Sequence, residues 1–220
     1  MRFSPHTDEF CSQSSQAQHG VLSRRQALCE GLSPSAIDRR LAAGEWVRVF
    51  QGVYRLAGVQ TTWEQRVMAG CLAAGPDAVA SHRSAAALHG MPGAPRWVEV
   101  MVPRSHQVRV GGVIAHRTRL FAPEDVGRLR GIPATTPGRT IADLAGVYSK
   151  EKLGPMLDYA LARRLVTRAQ LEARAMGRKH DDILRELLDE RPATPRPIGS
   201  EFEACLFRGL RDAGLPLFHS

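Results

Sequence analysis

Three short stretches carry residue types able to do chemistry. The first, "SHRS" at 81–84, sets His82 between Ser81 and Ser84, a base beside two hydroxyls. Acyl transfer would also need a group to orient the imidazole and donors for an oxyanion. Neither can be assigned from the sequence, and Ser81 is accounted for as a helix N-cap with His82 in the first turn. The second, "TTPGRT" at 135–140, puts Thr135, Thr136 and Arg139 at a helix start, where main-chain N–H groups can hold an anion. A structural helix with Arg139 in an ion pair explains it equally. The third, "GLSPSAIDRRLAAGEW" at 31–46, sets arginines on a short helix. There a guanidinium can fork onto a guanine edge.

Metal and redox chemistry find less support. His106, His116 and His180 match no metal-ligand spacing. Cys11, Cys29, Cys71 and Cys205 are scattered with no C-x-x-C pair, so they read as small buried hydrophobes. No catalytic residue, metal or cofactor is assigned. The net charge of +8 over 220 residues favours an anionic partner such as nucleic acid. The N-terminus lacks the apolar stretch of a signal peptide, and no run reaches a membrane span, so a cytoplasmic location without membrane contact is expected.

The elements that must position the arginines follow from caps and periodicity. A disordered leader is expected over residues 1–12 and a first helix over 14–19. Ser23 and Gln26 form a capping box for a second helix that ends at Gly31. Ser33 caps a third, with Pro34 in its first turn, Leu32 and Ile37 as a hydrophobic staple, and Gly44 as its stop. At 100° per residue Ile37 and Leu41 share the core face, Ser35 and Arg39 lie opposite, and Arg40 sits near the core edge. "EWVRVFQGVYRL" then reads as a hairpin turning at Gln51 and Gly52.

Helices, a two-stranded hairpin and a cationic face together predict a winged helix-turn-helix over residues 13–60, whose third helix enters the major groove. Its DNA-contacting candidates are Arg24 and Arg25 for phosphates, Ser35 and Arg39 for base edges, and Arg48 and Arg55 on the wing.

Residues 61–190 predict an α+β region. Helices start near Trp63 and after Ser81, and "RWVEVMVP" alternates as a strand. "QVRVGGVIAHRT" reads as a hairpin around Gly111 and Gly112, and "EDVGRLRGIPATT" as another strand pair. Trp46, Trp63 and Trp97 are expected to anchor cores. Arg104, Arg109, Arg117 and Arg119 form a cationic strip, either a phosphate-contacting extension or a solvated surface. Residues 150–190 read as helical, 191–200 as a Pro-rich linker, and 201–220 as a final helix. The fold class expected is α+β: an N-terminal winged helix-turn-helix, a middle α/β region with a small antiparallel sheet, and a helical C-terminal part.

"HGVLSRRQALCEGLSPSAIDRRLAAGEWVRVFQGVYRLAG" resembles the N-terminal domain of AbiEi-type antitoxins of type IV toxin–antitoxin systems. "AVASHRSAAALHGM", "VEVMVP" and "GIPATTPGRTIADLA" resemble the middle region of a large family with that N-terminus. The resemblance implies a DNA-binding antitoxin or repressor acting on its own operon. It also implies a nucleotidyltransferase-like toxin as a genetic partner. Its DNA-reading positions fall on Ser33, Ser35, Arg39 and Arg40, with Arg48 and Arg55 on the wing. "IGSEFEACLFRGLRDAGLP" resembles the first helix of a very-short-patch-repair-like nuclease domain, with Glu203 at its acidic position. Metal-dependent cleavage would need further carboxylates and a Lys on later strands. The sequence given stops before them, so a truncated nuclease-like segment, and no enzyme activity, is expected.

The leading expectation is a repressor that binds double-stranded operator DNA, with a homodimer held through the helices of residues 150–190 as its expected assembly. Two alternatives stay open: a protein-interaction antitoxin whose middle region silences a toxin, and a truncated member of a nuclease-fused family.

Overall fold

The structure is a computed structural model that describes residues 15–119, 122–175 and 181–191. The leader at 1–12, residues 192–200 of the linker and the helix at 201–220 lie outside the described residues. So do Cys11, His180, Glu203 and Cys205. Of the first expected helix, residues 15 and 16 are helical and 17–20 turn.

The N-terminal elements are β1 (Val21–Ser23), α1 (Arg24–Cys29), α2 (Pro34–Ala42), β2 (Trp46–Phe50) and β3 (Val53–Leu56). The Ser23–Gln26 capping box is made, and Ser33 Oγ accepts from Ala36 N. The strands form an antiparallel sheet in the order β1-β3-β2. Leu22, Ala27, Leu32, Ala36, Ile37, Trp46 and Tyr54 close a small core beneath the helices. This is the winged helix-turn-helix expected from the caps and the hairpin.

The next elements are α3 (Trp63–Ala74), β4 (Val79–Ala80), α4 (His82–Leu88), β5 (Glu99–Pro103), β6 (Ile114–Thr118), β7 (Val126–Leu129), β8 (Ile132–Thr135) and α5 (Pro137–Leu144). Five strands make one sheet, ordered β6-β5-β4-β8-β7. Its antiparallel pairs are β4–β5 and β7–β8, while β4–β8 and β5–β6 run parallel. The hairpin expected around Gly111 and Gly112 is therefore not formed. Val108, Val110 and Val113 pack onto the core as a crossover, and β6 joins β5 in parallel register from Glu99↔Ile114. Alternation alone could not distinguish that packed crossover from a strand.

β5 is covered on both faces. Val100 and Val102 join the core beneath α3, while Glu99 and Met101, also buried, point to the other side by the period of two. α6 (Lys150–Ala162), α7 (Arg168–Arg174) and α8 (Asp181–Asp189) then build a helical core with α4 and α5 around Ile141, Leu153, Leu157 and Leu184.

The N-terminal sheet shares a core with the middle region. Val21, Phe50 and Val53 pack in one cluster with Val67, Met68, Cys71, Val100 and Ile132. Polar contacts reinforce the seam: buried Gln65 donates to His19 O (2.8 Å), and His19 Nε2 lies 2.7 Å from Arg130 O.

Candidate functional site

α2 buries Ala36 and Ile37 and exposes Ser33, Pro34, Ser35, Asp38, Arg39 and Ala42. The exposed side is the face that the 3.6-residue period assigns to solvent. Ser33 Oγ lies 3.0 Å from Ser35 Oγ. Arg40 lies at the core edge, as its position predicts: it is half-buried, 5.7 Å over the Trp46 ring, and donates to Ala36 O at 3.4 Å. Arg25 and Arg48 are exposed.

Arg24 and Arg55 are more engaged. Arg24 Nη1 donates to Asp38 Oδ1 (3.2 Å) and Tyr54 Oη (3.4 Å), and these partners raise its pKa, Tyr54 most. Arg55, on the central strand, donates to Val59 O (3.2 Å) and Leu56 O (3.5 Å). The wing is short because β1 pairs along β3 up to Val53, next to the turn. Gln51 and Gly52 line a cleft of about 450 Å³ with Arg24, Arg25, Cys71, Leu72 and Arg128. The arginines Arg104, Arg109, Arg117 and Arg119 are all exposed, around the edge strand β6.

The "TTPGRT" stretch resolves as structure. Arg139 is 3% exposed and donates to Asp125 (2.7 Å) and Asp143 (2.9 Å), while Arg174 holds the other oxygen of Asp125. Burial alone would raise the Asp125 carboxyl, but Arg139 and Arg174 outweigh it and hold it below the usual range. An incoming anion would meet this acidic pair.

"SHRS" sits at a more unusual place. Ser81 occupies the N-cap position of α4 but makes no cap bond; its Oγ lies 3.0 Å from His82 Nδ1. The expected Ser81 cap is replaced from across the sheet: Glu99 Oε2 accepts from Arg83 N (2.9 Å), and Glu99 Oε1 takes Arg83 Nη1 (2.7 Å). The Ser84 hydroxyl donates to Trp97 O (2.5 Å) and accepts from Glu99 N (2.7 Å). His82 has φ +47°, a left-handed conformation uncommon for a side-chain-bearing residue. Its ring stacks on His116 of β6, centroids 3.6 Å apart and planes 16° apart. Burial and the facing His116 hold His82 neutral, its pKa lowered to about 3. Burial pushes the Glu99 carboxyl up, but His116 and Arg83 pull it below the ordinary range.

Three smaller expectations change. Trp97 is 51% exposed, not a core anchor, and Arg83 lies 4.6 Å over its ring. Cys29 is exposed while Cys71 is buried. His116 is neither a free surface group nor an apolar packing one, because β6 brings it against His82 and Glu99.

A family model described as the AbiEi antitoxin C-terminal domain matches residues 68–190, over half of the chain, and one described as a transcriptional regulator, AbiEi antitoxin, matches residues 13–57. The chain belongs to the AbiEi antitoxin family. No curated protein matches it. Among solved structures, this AbiEi-family chain is similar to the RV2827C protein from Mycobacterium tuberculosis. The TM-score is 0.52 at 16% identity, over 90% of this chain and 85% of that one. That likeness shows the fold alone. Among the described residues, no helix of the AbiEi chain is long and apolar enough to cross a membrane.

Proposed function

We propose that this AbiEi-family protein is a cytoplasmic, sequence-specific DNA-binding antitoxin that represses its own operon. The carrying observation is α2 itself: a capped helix whose inner face is fixed by Ala36 and Ile37 and whose outer face presents Ser33, Ser35 and Arg39. In this reading α2 enters the major groove, Arg39 and Ser35 read base edges, and Ser33 and Arg40 flank them. Arg25 and Arg48 neutralise phosphates, with Arg24 and Arg55 as secondary contacts. Promoter occlusion follows from occupancy, and a nucleotidyltransferase-like toxin is the genetic partner.

The test is fluorescence anisotropy with DNA from upstream of the gene against scrambled DNA over a salt series. Preference for the upstream DNA that disappears in Arg39→Ala supports the repressor. Weak, equal and mutation-insensitive binding refutes it.

A second reading, direct contact with a toxin by the middle region, is favoured by one surface. Exposed Trp97 lines a cleft of about 500 Å³ with Arg83, Pro95, Tyr148, Lys152 and Met156. Aromatic and arginine side chains are enriched where proteins bind one another. Charge reversal at Arg39 leaves toxin neutralisation intact under this reading and abolishes it if neutralisation acts through repression.

A further inference from the structure

We propose that His82, Glu99 and His116 form a binding site for a divalent transition metal of the zinc class, with one coordination position left to solvent. The three residues come from the start of α4, from β5 and from β6, and one ligand-type atom of each lies within 4.8 Å of the others. Two imidazoles and a carboxylate are a ligand set that zinc and its neighbours accept.

Three independent features of the site point to a ligand. His116 Nε2 is buried and makes no hydrogen bond; its nearest acid, Glu99 Oε2, stands 3.9 Å away, beyond hydrogen-bonding reach. Buried ring nitrogens without partners are uncommon in folded proteins. The backbone at His82 is held at φ +47°, a strained conformation that tends to mark functional positions. The groups around the three are arranged as supports. When His82 Nδ1–H donates to Ser81 Oγ, the Nε2 lone pair is left for a metal. Arg83 fixes the Glu99 carboxylate through its side chain and its main-chain N–H, as outer groups orient ligating carboxylates elsewhere.

The fit needs a turn of one ring as well as a contraction: the near-parallel stack of His82 and His116, 3.6 Å and 16° apart, aims their in-plane lone pairs side by side, so the His116 ring must rotate for both to face one ion. Zinc–ligand bonds of roughly 2.0–2.2 Å in a tetrahedron set ligand atoms about 3.3 Å apart. The 3.9 Å between His116 Nε2 and Glu99 Oε2 would close by about half an ångström. The His116 side chain is 28% exposed at the sheet edge although its Nε2 is buried, so an ion and its fourth ligand would enter as that ring turns outward. A bound ion would join the edge of the sheet to the start of α4.

The experiment uses the full chain, stripped with chelator and titrated with Zn²⁺ alone against a chromophoric competitor, with Co²⁺ absorption as a spectroscopic readout. The expected result is one tight equivalent per chain, a visible Co²⁺ band, and a raised melting temperature on adding Zn²⁺. His116→Ala should weaken binding by about 100-fold or more, since even losing an outer-shell partner costs 10–100-fold. His106→Ala, with a half-exposed ring 4.0 Å from Asp77, should leave binding unchanged. His116→Gln, closer in size, keeps the test open should His116→Ala unfold. Absence of a stoichiometric site, or binding equal to wild type in a folded His116 variant, overturns the proposal. DNA binding is measured separately, so failure here leaves the repressor reading untouched.

Discussion

Arg24 Nη1 lies 3.2 Å from Asp38 Oδ1, tying the first turn of α1 to the exposed side of α2. On the proposed reading, one of the six arginines in residues 20–60 would thus meet DNA with its charge already partly answered. Asp38 in turn places a negative charge on the face proposed to read bases. Removing Asp38 should therefore strengthen binding to any DNA and steepen its salt dependence, while Arg24→Ala should change the salt slope less than Arg25→Ala. Losing a true phosphate contact reduces that slope by about 1. Anisotropy titrations of the three variants at several salt concentrations check the order.

Asp125 and Glu99 share the acid sensitivity, and Asp125 is the cleaner test. Its folded pKa lies below its ordinary value of 3.8, because Arg139 and Arg174 favour the charged form. A depressed carboxylate contributes stability that is complete above the unfolded value and fades as pH falls through the folded one. The protein should therefore lose stability steeply below about pH 4. Asp125→Ala should cost roughly 3–5 kcal/mol at neutral pH, since it leaves Arg139 buried with Asp143 alone, and should flatten the acid limb. Denaturant melts from pH 3 to 7 give both numbers.

Gly70 of α3 packs against Val98, the residue before β5: a Cβ added there would run into Val98 Cγ1. Helix propensity alone favours Gly→Ala by about 1 kcal/mol. Overpacking against a stiff Val costs about 1–3 kcal/mol, so Gly70→Ala should be net neutral to destabilising. Val98→Ala should recover part of the loss in the double variant, which a thermodynamic cycle reads directly.

The thiols should separate sharply. Burial pushes Cys71 up to about 12, while Cys29 is exposed. A maleimide at pH 8 should label Cys29 within minutes and leave Cys71 unmodified until the fold opens, as peptide mass mapping would show.

Phe50 belongs to the hairpin yet packs in the middle core. Phe50→Ala should cost about 3–5 kcal/mol and lower one shared melting transition rather than split it in two. Calorimetry distinguishes the cases.

Local signals were readable in the sequence because each is made within a few residues. The Ser23 box, the Ser33 cap, Pro34 and the Ile37 face required no tertiary knowledge. β7 and β8 were legible for the same reason. What the sequence hid depends on long-range placement. His82, Glu99 and His116 are well separated in the chain and meet only because β5 and β6 pair in parallel and α4 starts beside them. Ser81 looked like a cap because nothing local shows that Glu99 arrives to do that work. The Gly111–Gly112 turn was present, but the strand before it was a packed crossover. That Arg55 lies on a central strand, with its guanidinium on Leu56 O and Val59 O, was hidden because strand order is not a local property.

The shared core around Val21, Phe50 and Val53 also bears on how such a protein can be re-engineered or can diversify. A head grafted from another regulator would arrive with a foreign underside and meet Val67, Met68 and Ile132 badly. If the protein is the repressor proposed above, new operator preferences are therefore easier to reach by changing Ser33, Ser35 and Arg39 on the outer face of α2 than by exchanging the whole N-terminal piece. The same coupling ties α2 to the body, so in that reading two copies held together by their bodies would measure the spacing between half-sites as a rigid caliper.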